Sequence, residues 1–172
     1  MTGVSLIEVL VAVLIFSVGL IGLAGLLIVS TRSNQEAFVR TQVTFLAGSM
    51  ADRMRANPVG LWTNAYDGNY PASLSSIPAC DATNACDPAK IAKRDKAIWT
   101  SQLQAFLPGL GTSTIKCDAT GAGYDPSTVV NMRPPYGGRC TMIITWAERG
   151  FSGSDDKLDS GKLQSFTWVF EP

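Results

Sequence analysis

The side chains best able to do chemistry in this chain are one carboxylate and four cysteines. Glu8 directly precedes an apolar run, residues 9–29, that contains no charged residue. A charged side chain costs about 2.5–3.5 kcal/mol at the centre of a bilayer and less near its surface. The position of Glu8 therefore predicts a partner of opposite charge, because each group would then offset the desolvation of the other.

The cysteines indicate an oxidising compartment. Their number is even, and all of them follow the apolar run. Four cysteines allow three pairings. In the pairing that we favour, each cysteine bonds to the next cysteine along the chain, one pair across a turn and the other across two strands. Zinc is a weak alternative, because the chain has no histidine and the closest cysteines are separated by five residues. The favoured pairs are Cys80 with Cys86 and Cys117 with Cys140.

Patterns typical of enzymes are missing from the sequence. Without histidine there is no Ser-His or Cys-His pair, and there is neither a G-x-S-x-G elbow nor a phosphate-binding loop. The spacing of Asp155, Asp156 and Asp159 does not match a calcium-binding loop. Acidic and basic residues number 14 each, and the balance argues against nucleic-acid binding. We expect no catalysis, cofactor, metal or small-molecule substrate.

Two helices are predicted. At about 1.5 Å per residue, residues 9–29 would cross the ~30 Å hydrocarbon core of a bilayer, and the run is longer than that of a secretory signal. Apolar residues at helical spacing, from Val39 to Met54, extend this helix as far as Asn57-Pro58. A second helix is expected over residues 89–107, because Asp87-Pro88 is a strong start signal.

The remaining segments predict turns and a small sheet. Residues 57–87 are rich in turn formers, and their aromatic residues Trp62, Tyr66 and Tyr70 are expected to cover the core rather than form a contact surface. Short extended segments follow, at residues 112–117, 141–146 and 166–170, with long connections at 121–138 and 151–162. The fold class is therefore α+β, with a long N-terminal spine helix, a second helix and a small antiparallel sheet.

The spacing of Gly3 and Glu8 ahead of the apolar run resembles the N-terminus of type IV pilins and the related pseudopilins. Motifs further along the chain are similar to those of the PilV-type minor pilins, also called type IV pilus modification proteins. These motifs are residues 50–58, residues 95–99 with Leu103 and Leu107-Pro108-Gly109, and residues 145–150.

This resemblance implies a pilin-like fold and a set of processing steps. A prepilin peptidase would cut between Gly3 and Val4, and the new amine of Val4 would be methylated. The carboxylate of Glu8 would meet the N-terminal amine of a neighbouring subunit and set the alignment between them. The implied organisation is a leader remnant at 1–3, a transmembrane and filament-core half at 4–30, an amphipathic half at 31–57 and a periplasmic domain at 58–172.

The function implied is that of a minor pilin, which primes or modifies type IV pilus assembly through a tip complex. Expected partners are other minor pilins, the major pilin, the prepilin peptidase, the inner-membrane assembly platform and a tip adhesin. The expected location is the inner membrane, followed by the pilus. Two alternatives stay open: a minor pseudopilin of a type II secretion system, and a membrane-anchored periplasmic binding module such as a DNA receptor.

Charges beside the apolar run bear on its orientation. Met1-Thr2-Gly3 carries no Lys or Arg, whereas Arg32, Arg40 and Arg53 follow the run, so a charge count alone favours a cytoplasmic C-terminal region. The cysteines favour the periplasm, and we give them more weight. We therefore expect a basic leader and a start upstream of Met1.

Overall fold

A computed structural model gives the fold of the chain and describes residues 3, 5–73, 76–81, 83–121, 136–147 and 163–172. The chain divides into two units, Met1–Phe38 and Val39–Pro172. The first helix, α1, covers Leu6–Arg55 and passes from the first unit into the second. Its continuity confirms the predicted spine helix.

The first unit consists of the apolar part of α1. Every large apolar side chain in residues 6–29 is at least 48% exposed to solvent. The mean hydropathy there reaches 2.8 over an 18-residue window, and within the described part of the chain this is the one helix long and apolar enough to cross a membrane. The prediction of a membrane-length helix is confirmed.

In the second unit, α1 becomes amphipathic and contributes one stripe to a core. Its buried residues recur three or four positions apart, which places them on one face of the helix. The helix ends at Arg55, three residues before Pro58, because a proline disfavours helical backbone in the residue that precedes it, which is Asn57. The buried residues are Val43, Leu46, Ala47, Met50, Ala51 and Met54.

Two further helices begin with the same kind of signal. The second predicted helix is confirmed as α3, Pro88–Phe106, and the carboxylate of Asp87 accepts a hydrogen bond from the Lys90 amide at 2.8 Å. A short helix α2, Pro58–Trp62, lies where the sequence indicated only turns. Its start is capped by Asn57, so Asn57-Pro58 works in the same way as Asp87-Pro88.

The sheet has four antiparallel strands in the order β1-β2-β3-β4. The three predicted strands are confirmed, with β3 and β4 extending beyond their predicted limits. Strand β1 was not predicted, because three residues are too few to show alternation. The predicted connections 121–138 and 151–162, and Asp155, Asp156 and Asp159, fall mostly or wholly outside the described residues. The strands are β1 (Gly68–Tyr70), β2 (Ser113–Asp118), β3 (Arg139–Ala147) and β4 (Leu163–Phe170).

Helices α1 and α3 and the sheet share one core around Trp99. The Trp99 indole donates a hydrogen bond from Nε1 to the Leu46 carbonyl at 2.9 Å, and its ring meets Tyr70 edge to face at 4.8 Å. Tyr66 and Tyr70 are buried, and Trp62 is half-buried against the core. These positions confirm that the aromatic residues of the turn region cover the core. The fold is α+β, with the predicted pilin-like arrangement of spine helix, second helix and sheet.

Candidate functional site

The carboxylate singled out in the sequence lies in the first turn of α1. The amides of Glu8 and Val9 donate to the Ser5 carbonyl at 3.0 and 3.3 Å, so the helix begins directly after Ser5. Unpaired amides give a helix N-terminus a partial positive charge, and acidic side chains are favoured in the first turn for that reason. Glu8 occupies such a first-turn position.

Gly3, the residue before the expected cleavage, is exposed, and a Cβ added to it would have no heavy atom within 4 Å. Exposed backbone is where peptidases cut most readily. Val4, the expected new N-terminus and methylation site, lies outside the described residues.

Beyond Glu8, α1 presents an apolar surface in which the one side-chain hydroxyl forms a hydrogen bond within the helix. The one hydroxyl within residues 9–29 belongs to Ser17, which donates to the Leu14 carbonyl at 2.8 Å. Such a bond lets a serine lie in lipid without a lost hydrogen bond. Gly19, Gly22 and Gly25 have open space where a Cβ would be, so a neighbouring helix could approach closely there.

Both favoured disulfides are present. Cys80–Cys86 closes a short ring just before α3, and Arg94 of that helix donates to the Cys80 carbonyl at 2.9 Å. Within the ring, hydrogen bonds from Thr83 and Asn84 lower the pKa of Asp81. The ring is therefore held to α3 by this hydrogen bond as well as by the short chain segment that connects them.

The second disulfide, Cys117–Cys140, links β2 and β3 at directly opposite positions. The Cys117 amide donates to the carboxylate of Asp67 at 3.0 Å and not to β3. This makes Cys117 and Cys140 a non-hydrogen-bonded pair, the register in which opposed side chains come closest. Burial raises the pKa of Asp67, against the opposing effect of that hydrogen bond.

A polar cluster that the sequence did not predict joins α1, α2 and α3. We use the name polar cluster for Arg53, Asn57, Tyr66 and Asp95. The Asp95 carboxylate accepts hydrogen bonds from Arg53 at 3.2 Å and from the Tyr66 hydroxyl at 2.8 Å. Asn57 donates to the Tyr66 hydroxyl at 3.1 Å and to the Pro88 carbonyl at 2.8 Å. Burial raises the pKa of Tyr66, which keeps its hydroxyl protonated as a donor.

The sequence did contain a signal for this cluster. Asp95 lies four residues before Trp99 and three after Ala92, on the face of α3 that faces the core. An acidic residue on a buried helix face requires a donor or a cation from another element. Arg53 and Asp95 belong to two of the motifs that carry the resemblance to minor pilins, and the fold brings them into contact.

Asp95→Ala is expected to lower the free energy of unfolding by about 3 kcal/mol, since removing one partner leaves Arg53 and Tyr66 without their acceptor. Urea unfolding of the full chain in detergent micelles, followed by near-UV circular dichroism, measures the loss. The matched control is Asp52→Ala, which removes a pair between two exposed side chains at 3.0 Å and should change stability by less than about 0.5 kcal/mol. Equal losses in the two variants would contradict a structural role for the polar cluster.

Comparison with protein-family models, curated proteins and solved structures finds no match to this chain. The assignment of candidate site residues is therefore supported by their geometry and by the sequence motifs. Gly3 and Glu8 lie together at the start of the first unit, while both disulfides and the polar cluster brace the second unit.

Proposed function

We propose that this chain is a minor pilin, which helps to prime or modify the assembly of a type IV pilus. One observation carries the proposal: α1 exposes a charge-free and almost wholly apolar surface over residues 9–29, with Glu8 in its first turn and Gly3 just ahead of it. An exposed apolar surface of this extent needs lipid or other protein around it. A pilin subunit meets both, first in the membrane and then in the filament.

The proposed mechanism starts with the processing of the N-terminus. Cleavage after Gly3 creates an amine at Val4, four residues from the Glu8 carboxylate. Within a bundle of apolar helices, that amine and the carboxylate of a neighbouring subunit would each relieve the desolvation of the other. The pair would set the axial register of one α1 against the next.

The second unit would provide recognition. Its fold is braced by two disulfides and the polar cluster, which suits a domain that works in the periplasm and then outside the cell. Other minor pilins, the major pilin and a tip adhesin are the proposed partners of this unit. The prepilin peptidase and the assembly platform of the inner membrane would act on α1.

Mass spectrometry of the N-terminal peptide tests the proposal. Membranes from cells with and without prepilin peptidase are compared, using the chain expressed from its own gene. A peptidase-dependent start at Val4, with or without methylation, is the expected result. An N-terminus that is intact, or that is cut elsewhere in both strains, would overturn the assignment to the prepilins.

A second measurement separates a pilus from a secretion system. Filaments are sheared from the cells and probed for the chain, with a strain that lacks the major pilin as the control. The proposal predicts that the chain is present in the sheared fraction and lost from it in the control strain. Secretion defects without any change in the pili would favour a pseudopilin.

A further inference from the structure

The two disulfides differ in their exposure to solvent. Cys117 and Cys140 are 7% and 0% exposed, and both belong to the core of the second unit. Cys80 and Cys86 are half-buried, and the described residues between them, at 81 and 83–85, are exposed. Because thiol–disulfide exchange requires a thiolate to reach a sulfur atom, the difference in access favours attack at Cys80–Cys86.

The more exposed pair also restrains the chain less. Its cysteines are 6 positions apart, whereas Cys117 and Cys140 are 23 positions apart. A crosslink that closes a shorter ring removes less conformational entropy from the unfolded chain. Opening the short ring therefore costs the second unit less stability than opening the long one.

The start of α3, directly after the short ring, is held by contacts that do not involve sulfur. The Asp87 carboxylate accepts a hydrogen bond from the Lys90 amide at 2.8 Å and so caps the helix. Asn57 donates to the Pro88 carbonyl at 2.8 Å and ties the same end of α3 to the polar cluster. These hydrogen bonds remain when the two sulfur atoms separate, so α3 keeps its place in the core.

Local hydrogen bonds inside the ring keep its two ends close to each other. The Asp81 carboxylate accepts from the amides of Thr83 and Asn84 at 2.9 and 2.8 Å, and the Asp81 amide donates to the Asn84 carbonyl at 3.2 Å. A turn of this kind is built from the side chain of its first residue and needs no crosslink. The two thiols of an opened ring would thus stay near each other, and the same pair could form again.

We propose that Cys80–Cys86 is a site of reversible thiol–disulfide exchange with an external dithiol, while Cys117–Cys140 stays closed. A thiolate of the dithiol attacks one sulfur of the pair and forms a mixed disulfide, and the other cysteine leaves as a thiolate with the electron pair of the broken bond. The second thiolate of the dithiol then attacks the mixed disulfide, which leaves two reduced cysteines in the chain and an oxidised disulfide in the reagent. The site lies in the second unit and goes beyond the proposed function.

The experiment uses the full chain in lipid nanodiscs and dithiothreitol as the dithiol. Samples taken over time are treated with N-ethylmaleimide to label free thiols, and the remaining disulfides are then reduced and labelled with iodoacetamide. Trypsin cuts after Lys116 and Arg139, so mass spectrometry follows the two pairs in separate peptides. Cys80–Cys86 is expected to open at least about tenfold faster than Cys117–Cys140, because access governs the attack.

The same samples show whether the core survives the opening. The aromatic bands of the near-UV circular dichroism spectrum should stay unchanged while only Cys80–Cys86 is open, and oxidised glutathione should then close that pair again. The matched control is the double variant Cys80→Ser and Cys86→Ser, which should keep the aromatic bands and lose the fast phase of opening.

Three results would overturn the proposal, and all of them are read from the native chain. The first is opening of the two pairs at equal rates. The second is loss of the aromatic bands as Cys80–Cys86 opens, which would make that pair a structural crosslink. The third is failure of oxidised glutathione to restore the pair.

Discussion

Replacing Glu8 with Ala is expected to reduce the amount of this chain in sheared filaments at least about tenfold, while the amount in membranes stays the same. The reason is that loss of one member of a buried ion pair costs about 3–5 kcal/mol, because the other charge is left without a counterion. The amine of the neighbouring subunit would be that unpaired charge. Membrane insertion should not suffer, since Ala is more apolar than Glu.

Three variants separate charge from side-chain size and position. Glu8→Asp keeps the charge and should incorporate better than Glu8→Gln, which keeps the size but not the charge. Glu36→Ala removes the same charge from an exposed position further along α1 and should leave the filament fraction unchanged. Immunoblots of sheared filaments and of carbonate-washed membranes give the two amounts. Normal levels of Glu8→Ala in filaments would contradict the proposed alignment mechanism.

Replacing Trp99 with Ala is expected to lower the free energy of unfolding of the second unit by about 4 kcal/mol, because it leaves a large cavity in the core. Trp99 is fully buried in the core that α1, α3 and the sheet share. The substitution also removes the edge-to-face contact with Tyr70 and the hydrogen bond to the Leu46 carbonyl. Trp99→Phe should lose less, since the phenyl ring retains most of the packing.

The control for this variant lies on the same helix. Phe106 is 55% exposed, so Phe106→Ala should lower the free energy of unfolding by less than about 1 kcal/mol. Urea unfolding of the full chain in micelles, with near-UV circular dichroism as the signal, compares the three variants. If Trp99→Ala lowered the free energy of unfolding no more than Phe106→Ala does, the stability of the core would not depend on the indole.

The large elements could be predicted from the sequence because they have periodic patterns or strong end signals. A charge-free run of membrane length admits few conformations, and Asp87-Pro88 marks the start of α3 within a residue. The favoured cysteine pairs were correct because each pair is close in sequence or lies on strands that are neighbours along the chain. Gly3 is exposed, and its cleavage and the methylation of Val4 stay predictions.

The features that escaped prediction depend on contacts distant in sequence. The polar cluster joins Arg53 to Asp95, 42 positions apart, and no local pattern encodes that contact. Strand β1 has three residues and forms only because β2 offers a partner. The place of β4 at the end of the sheet, among the described residues, follows from the order of the strands, which the alternation of a single strand cannot reveal.

The disulfide between β2 and β3 fixes how the two strands align, so the connection between them does not have to do so. Cys117 and Cys140 are 23 positions apart and are joined covalently at opposite points of the ladder. The register of the two strands is thus set by the bond and not by the length of the connection. Because the crosslink already closes this loop in the unfolded chain, insertions there should cost less on folding than the about 0.6 kcal/mol per doubling of an uncrosslinked loop. The connection can therefore diverge in length and sequence among related proteins faster than the sheet that carries it.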